Sequence, residues 1–293
     1  MLVWGAADAT PNWRRRSGAL TVVAAMALAL SVVMTWNQLA HWQNSITLFI
    51  QALAVTTNNA PAHINLGVAL EKEGRWDEAL QHYQAAFCIE PRQPQIHNNI
   101  GNVLDAMGRT EEAIVSYQRA LQLRPGVALV HNNLGLALVT QGKFDEALAH
   151  YGEAMRLAPL DPEPRFLAAK AFLSQNKPEQ ALEHFRQALH LDSRHAKSLT
   201  WYARLLAANR NPAFRNGAEA VRLAERAVEV TNGEQPLTLD VLAMAYAEAG
   251  RFDDAIRVTQ QTVEFLKRAG EKKYAAEMEA RLQFYRAAQP FRE

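Results

Sequence analysis

The sequence predicts an all-α fold: a right-handed superhelical solenoid of helix–turn–helix repeats, preceded by one transmembrane helix. The first observation behind this is a period. Gly67, Gly101 and Gly135 lie 34 residues apart, as do Ala79, Ala113, Ala147 and Ala181. Tyr83, Tyr117, Tyr151 and Phe185 keep the same spacing, and so do Pro91, Pro125 and Pro159. A fixed period of this size marks stacked supersecondary units rather than one globular core. The second observation is a charge-free stretch: from Ser17 to Gln43 there is no Lys, Arg, Asp or Glu. The third is composition. With 31 basic and 30 acidic residues among 293, the chain has no field suited to nucleic acid. Its one cysteine, Cys88, excludes an internal disulfide.

Residues 1–17 read as a cytoplasmic segment ending in Arg14-Arg15-Arg16. Residues 18–40 read as the transmembrane helix; the apolar run from Gly18 to Trp36 spans about 28 Å, close to the hydrocarbon thickness. No lysine or arginine follows Arg16 until Lys72, so the positive-inside rule places the repeats outside the cytoplasm. A cleaved signal peptide and a buried helix are the competing readings. The long run and the lack of a small-residue cleavage site favour an uncleaved anchor. Residues 41–59 match the second helix of a repeat without a first, since Ser45, Phe49 and Ala52 precede Ala79, Tyr83 and Ala86 by one period.

Three regular repeats follow, at 60–93, 94–127 and 128–161. Glycine at the eighth place of each first helix admits a close neighbour. Gly74, Gly108 and Gly142 end those helices, where glycine takes the left-handed cap. Acids such as Asp77-Glu78 and Asp145-Glu146 open the second helices and complement their positive ends. The tyrosines are expected to fill the gap to the next repeat, and proline stops the helix. The fourth repeat, 162–195, replaces the glycines with Ala169 and Asn176. The fifth, 196–235, carries five extra residues, assigned to the loop Asn209–Gly217 because loops absorb insertions. The sixth, 236–270, restores Ala243, Tyr246, Gly250 and Ala255. An amphipathic helix in 271–293 caps the end.

The chain contains no phosphate-binding glycine loop, nucleophile elbow or His-Glu-x-x-His pattern. No catalytic, cofactor or metal residue is therefore assigned. His63, His97 and His131 fall on successive repeats, so they read as packing residues rather than convergent ligands. The candidate site is amide-rich. Asn65, Asn99 and Asn133 share one repeat position; Asn98 and Asn132 precede two of them, and Asn102 lies on the same helix as Asn99. Amides both donate and accept, so a ladder of them can hold an extended peptide by its backbone. The same ladder can instead bond neighbouring turns. Leu167 ends it, confining such a groove to the first three repeats.

The repeat pattern resembles that of tetratricopeptide repeat (TPR) proteins. His63-Ile-Asn-Leu-Gly67, His97-Asn-Asn-Ile-Gly101 and His131-Asn-Asn-Leu-Gly135 are similar to the repeats of O-linked N-acetylglucosamine transferase. That resemblance implies a substrate-gripping role for Asn65, Asn99 and Asn133 only. The succession of a membrane helix, Thr35-Trp36, His41-Trp42 through Phe49, and then repeats resembles the C-terminal part of bacterial transmembrane protein O-mannosyltransferases. The catalytic acids of that family belong to a multi-spanning half without counterpart here, and the apolar start 1–7 points to a truncated or split relative. The expected function is a membrane-anchored scaffold binding protein or peptide, and not an enzyme. The alternative is the substrate-recruiting module of a multi-spanning membrane glycosyltransferase encoded separately.

Overall fold

The computed structural model describes residues 21–32 and 44–293, and the chain divides into two compact units, 1–108 and 109–293. Among the described residues every regular element is a helix. The first unit holds α1 (residues 21–32), α2 (Ser45–Val55), α3 (Ala60–Lys72), α4 (Trp76–Ile89) and α5 (Pro94–Ala106). The second holds α6 (Thr110–Leu123), α7 (Ala128–Thr140), α8 (Phe144–Leu157), α9 (Glu163–Ser174) and α10 (Pro178–Leu191). It continues with α11 (Ala196–Ala208), a 3-10 turn (Pro212–Phe214), α12 (Gly217–Val230), α13 (Pro236–Glu248), α14 (Phe252–Arg268) and α15 (Lys272–Arg286).

Local chemistry sets the helix ends. Asn59 accepts a hydrogen bond from the Ala62 amide (2.9 Å), and Asn216 does the same for Glu219 (3.1 Å). Proline occupies the first turn of α3, α5, α10 and α13, where no amide donor is needed. At the other end, Gly74 takes φ 72° and Gly142 φ 73°, returning the chain for the second helix. Asn176 holds the equivalent place with φ 56°, the one common non-glycine choice there.

Packing is of neighbour on neighbour. In the first unit α3 packs on α2 and α4, and α5 lies against α4 and α3. In the second unit each helix packs on the next in sequence from α6 to α15, while α7 touches α9 and α11 touches α13. First helices thus stack on first helices, as a solenoid requires. Ala79, Ala147, Ala181, Ala220 and Ala255 are wholly buried at the helix–helix seams.

The tyrosine rings reach toward the next repeat, Tyr83 to Asn99 of α5 and Tyr151 toward Glu163 of α9, and each also meets the glycine of its own repeat. A Cβ on Gly67 would stand 2.6 Å from Tyr83 Cε1, and one on Gly135 2.5 Å from Tyr151 Cε1. The glycine spares room for a ring whose burial is worth on the order of 2–3 kcal/mol. The inserted residues after α11 form the 3-10 turn, where Asn211 accepts from the Ala213 amide at 3.0 Å.

The expected span 18–40 reaches beyond the described residues on both sides. Its described part, 21–32, is helical and exposed throughout, including Val22, Val23, Met26, Leu28, Leu30 and Val32. Among the described residues no helix is long and apolar enough to cross a membrane. Arg14–Arg16 and Trp36 lie outside the described residues.

Candidate functional site

In the first unit, α3 and α5 position Asn65, Asn98, Asn99 and Asn102. Asn65 is exposed and lines a cleft of about 390 Å³ with Asn44, Ile46 and Phe49 of the α2 segment and Val68 and Lys72 of α3. Asn99, one period later, is only 8% exposed. Equivalent positions thus have opposite environments. Asn98 is also buried and donates to Asn99 Oδ1 at 3.5 Å, a long and weak bond. Asn99 lies against the Tyr83 hydroxyl, yet its Nδ2 makes no hydrogen bond among the described residues. Tyr83 itself donates to Glu71 Oε1 at 2.6 Å. Burial and the Glu71 carboxylate both push the Tyr83 phenol up, and burial pushes Glu71 up despite that hydrogen bond. Asn102 has interactions within the protein.

In the second unit, α7 carries Asn132 and Asn133. Asn132 is 5% exposed, and its Oδ1 has no hydrogen-bond partner among the described residues. Asn133 is half-buried and engaged within the protein. Orphaned buried amide atoms are costly, about 1–3 kcal/mol each, and rare in folded chains. Leu167, where the asparagine series stops, packs against the hydrophobic core of the second unit.

The histidines form pairs that the period did not reveal. His63 Nδ1 lies 3.0 Å from His82 Nδ1, and His131 Nδ1 lies 2.9 Å from His150 Nδ1. His131 Nε2 donates to the Pro125 carbonyl at 3.0 Å, so a neutral His131 accepts at Nδ1 and His150 donates. His97 Nε2 donates to the Pro91 carbonyl at 3.3 Å. Burial lowers the pKa of His63, His82 and His150, and the facing ring lowers His82 and His150 further. Each pair supplies only two of the four ligands that a tetrahedral ion takes. Among the described residues no group of three or more metal-ligand side chains converges. A recurrence in the sequence could have exposed these pairs: both members stand 19 residues apart, twice.

The adjacent carboxylates sit as expected at helix starts. Glu78 is bound by Arg75 at 2.7 Å, and Asp254 by both Arg251 and Arg257. These exposed pairs hold the turn between helices and add little stability. A cluster that sequence reasoning passed over lies on α9 and α11. Lys170 Nζ stands 4.6 Å from the centre of the Trp201 ring, and the Arg204 guanidinium 5.1 Å from it.

Comparisons with known proteins agree with this geometry. Profiles of the tetratricopeptide repeat match residues 92–160, 126–194, 166–229 and 236–261, and a TPR repeat profile matches 72–108. No curated protein sequence matches the chain. Among solved structures, Pseudomonas aeruginosa PilF is similar with a TM-score of 0.61 at 23% identity, over 75% of this chain and 96% of that one. The Cut9–Hcn1 hetero-tetramer of the APC/C is similar with a TM-score of 0.66 at 14% identity, over 80% of this chain. This chain spans 45% of that relative's length. At such identities the likeness is one of fold. With the repeat profiles spread over more than half the sequence and paired helices throughout, the chain belongs to the tetratricopeptide repeat proteins.

Proposed function

We propose that this chain is a membrane-anchored scaffold that holds extended polypeptide against the asparagines of its first helices, outside the cytoplasm. The observation that carries the binding reading is Asn132 Oδ1 on α7 of the second unit, a buried amide acceptor with no hydrogen-bond partner among the described residues. A peptide backbone amide supplies the donor it lacks. Asn65, exposed beside the α2–α3 cleft, offers the first unit a further contact. Anchoring is supported by α1: its apolar side chains are exposed, which lipid would remedy.

The test of binding compares full-length wild type with an Asn99→Ala/Asn132→Ala chain in membranes. Polypeptides cross-linked to each are measured by quantitative mass spectrometry. Specific capture should fall at least fivefold while the melting midpoint stays close to wild type. Equal capture by the folded variant, or an early melt with undiminished capture, makes the asparagines structural. The topology follows from a periplasmic-type reporter fused after Glu293: activity places the repeats outside, whereas a fusion active only in the cytoplasm overturns that placement. The recruiting role beside a glycosyltransferase requires sugar transfer to appear when a multi-spanning partner is co-expressed, and to weaken with the same variant.

A further inference from the structure

A second site lies wholly within the second unit, on α9 and α11. Three cations gather there: Lys170, Lys197 and Arg204. Lys170 Nζ sits over the rings of Trp201 (4.6 Å) and Phe166 (5.9 Å), and Arg204 stacks on Trp201 from 5.1 Å. Lys197 is spoken for, since Glu163 binds it at 2.7 Å and also meets His195 at 3.2 Å. Arg204 is held by a residue 89 positions away: its Nε donates to Glu293 Oε2 at 2.8 Å, with Nη2 on Oε1. Lys170 has no carboxylate partner among the described residues. Burial, then the charge of Lys197, push it below the ordinary lysine range; Arg204 adds to this, while Glu163 acts the other way. The cluster is short of negative charge.

Glu293 reaches Arg204 because the chain turns back after α15. Ala288 takes φ 53°, and the segment that follows runs onto α11. The Glu293 amide donates to the Ala208 carbonyl at 2.9 Å, and Arg292 Nη1 donates to the Ala207 carbonyl at 3.1 Å. Arg292 also pairs with Glu248 at 2.5 Å, and the Phe291 ring meets Arg281 and Phe284. Backbone hydrogen bonding to an orphan carbonyl at a helix end, a carboxylate on an arginine fork, and an anchoring aromatic are how a bound peptide would be held. Beside Glu293 a cleft of about 190 Å³ remains open, lined by Leu173, Trp201, Arg204, Leu205 and Asn209.

We propose that the α9–α11 face around Trp201 is a binding site for acidic peptides, occupied in this structure by the chain's own 291–293 segment. The ligand class follows from the two cations. Both lie within 5.1 Å of one ring centre, so about 10 Å at most separates them; carboxylates two residues apart on an extended peptide stand about 7 Å apart. An acid-x-acid sequence thus fits both Lys170 and Arg204. The tethered segment turns Phe291 to Arg281 and Phe284, so that of the two cations beside Trp201 it satisfies Arg204 alone. It acts as a weak ligand at the millimolar effective concentration of a short tether, which a better peptide in trans displaces.

The probe is a fluorescein-labelled hexapeptide, Ala-Gln-Pro-Glu-Arg-Glu, which is residues 288–293 with a glutamate for Phe291. Its binding to the full chain is read by fluorescence anisotropy. Glu293→Gln should bind it at least tenfold more tightly than wild type. In that background Lys170→Met and Arg204→Met should each lose at least tenfold, and a peptide with both glutamates changed to glutamine should not bind. Asn99→Ala/Asn132→Ala should leave this binding unchanged, so this site and the asparagine site fail separately. Circular dichroism melts accompany each variant. An early melt of Glu293→Gln without any gain in affinity makes the segment a structural cap and overturns the proposal. Equal binding of the glutamine peptide overturns it too.

Discussion

Gly135→Ala tests the packing rule that generates the repeat. A methyl group there would stand 2.5 Å from Tyr151 Cε1, 2.9 Å from Cζ and 3.0 Å from Cδ1. The ring cannot swing aside, because Tyr151 is 1% exposed and held between helices. On helix propensity alone, alanine should stabilise α7 by about 0.8–1.0 kcal/mol. Overpacking of a tight interior costs about 1–3 kcal/mol and acts the other way. The ring contacts fall below van der Waals distance at more than one atom, which puts the steric cost at the upper part of its range and leaves a net loss of up to about 2 kcal/mol. For a unit of this size that lowers the melting midpoint on the order of 5 °C. The assay is urea unfolding followed by far-ultraviolet circular dichroism, on wild type, Gly135→Ala, Tyr151→Leu and the double variant. With the ring gone, Gly135→Ala should become neutral or stabilising, a coupling of about 1–3 kcal/mol. A single variant at least as stable as wild type refutes the reasoning, as does an equal loss in both backgrounds.

Backbone strain, a buried ion pair and the histidine pairs give three more tests. At Gly142 φ is 73° and a Cβ would meet no atom within 4 Å, so the cost of a side chain there is backbone strain alone; Gly142→Asn should therefore lose less stability than Gly142→Val in the same urea assay, and equal losses would count against it. Asp240 is 2% exposed and bound by Arg281, with Tyr274 donating at 3.3 Å, so Arg281→Ala should cost about 3–5 kcal/mol by stranding a buried carboxylate, and adding Asp240→Leu should recover much of it. The folded pKa values of His63, His82 and His150 lie below the ordinary 6.5, so on acidification the unfolded chain takes up protons first. Their contribution is complete above about pH 6.5 and is lost as pH falls toward the folded values, so the melting midpoint should drop from pH 7.5 to 5.5, and replacing all three with asparagine should flatten that slope.

The sequence by itself determined the helices and their pairing. A small residue, an aromatic and a turn glycine recurring every 34 positions admit one local solution, because each choice answers a contact within a single repeat. Asn176 at the place of Gly142 could be read the same way, since both types tolerate positive φ. The candidate site was legible only as residue types. Asn65 and Asn99 share a repeat position, yet one is exposed and the other buried against Tyr83, because burial depends on the flanking helices and not on register. The tyrosines reach the next repeat and also press on the glycine of their own, a double use that the ring's packing between helices decides. Tertiary structure alone decided that Lys170 and Arg204 share the Trp201 ring and that Glu293 returns to Arg204. Lys170 and Arg204 stand one 34-residue period apart, but the ring between them and the return of Glu293 from 89 positions away follow from the path of the folded chain.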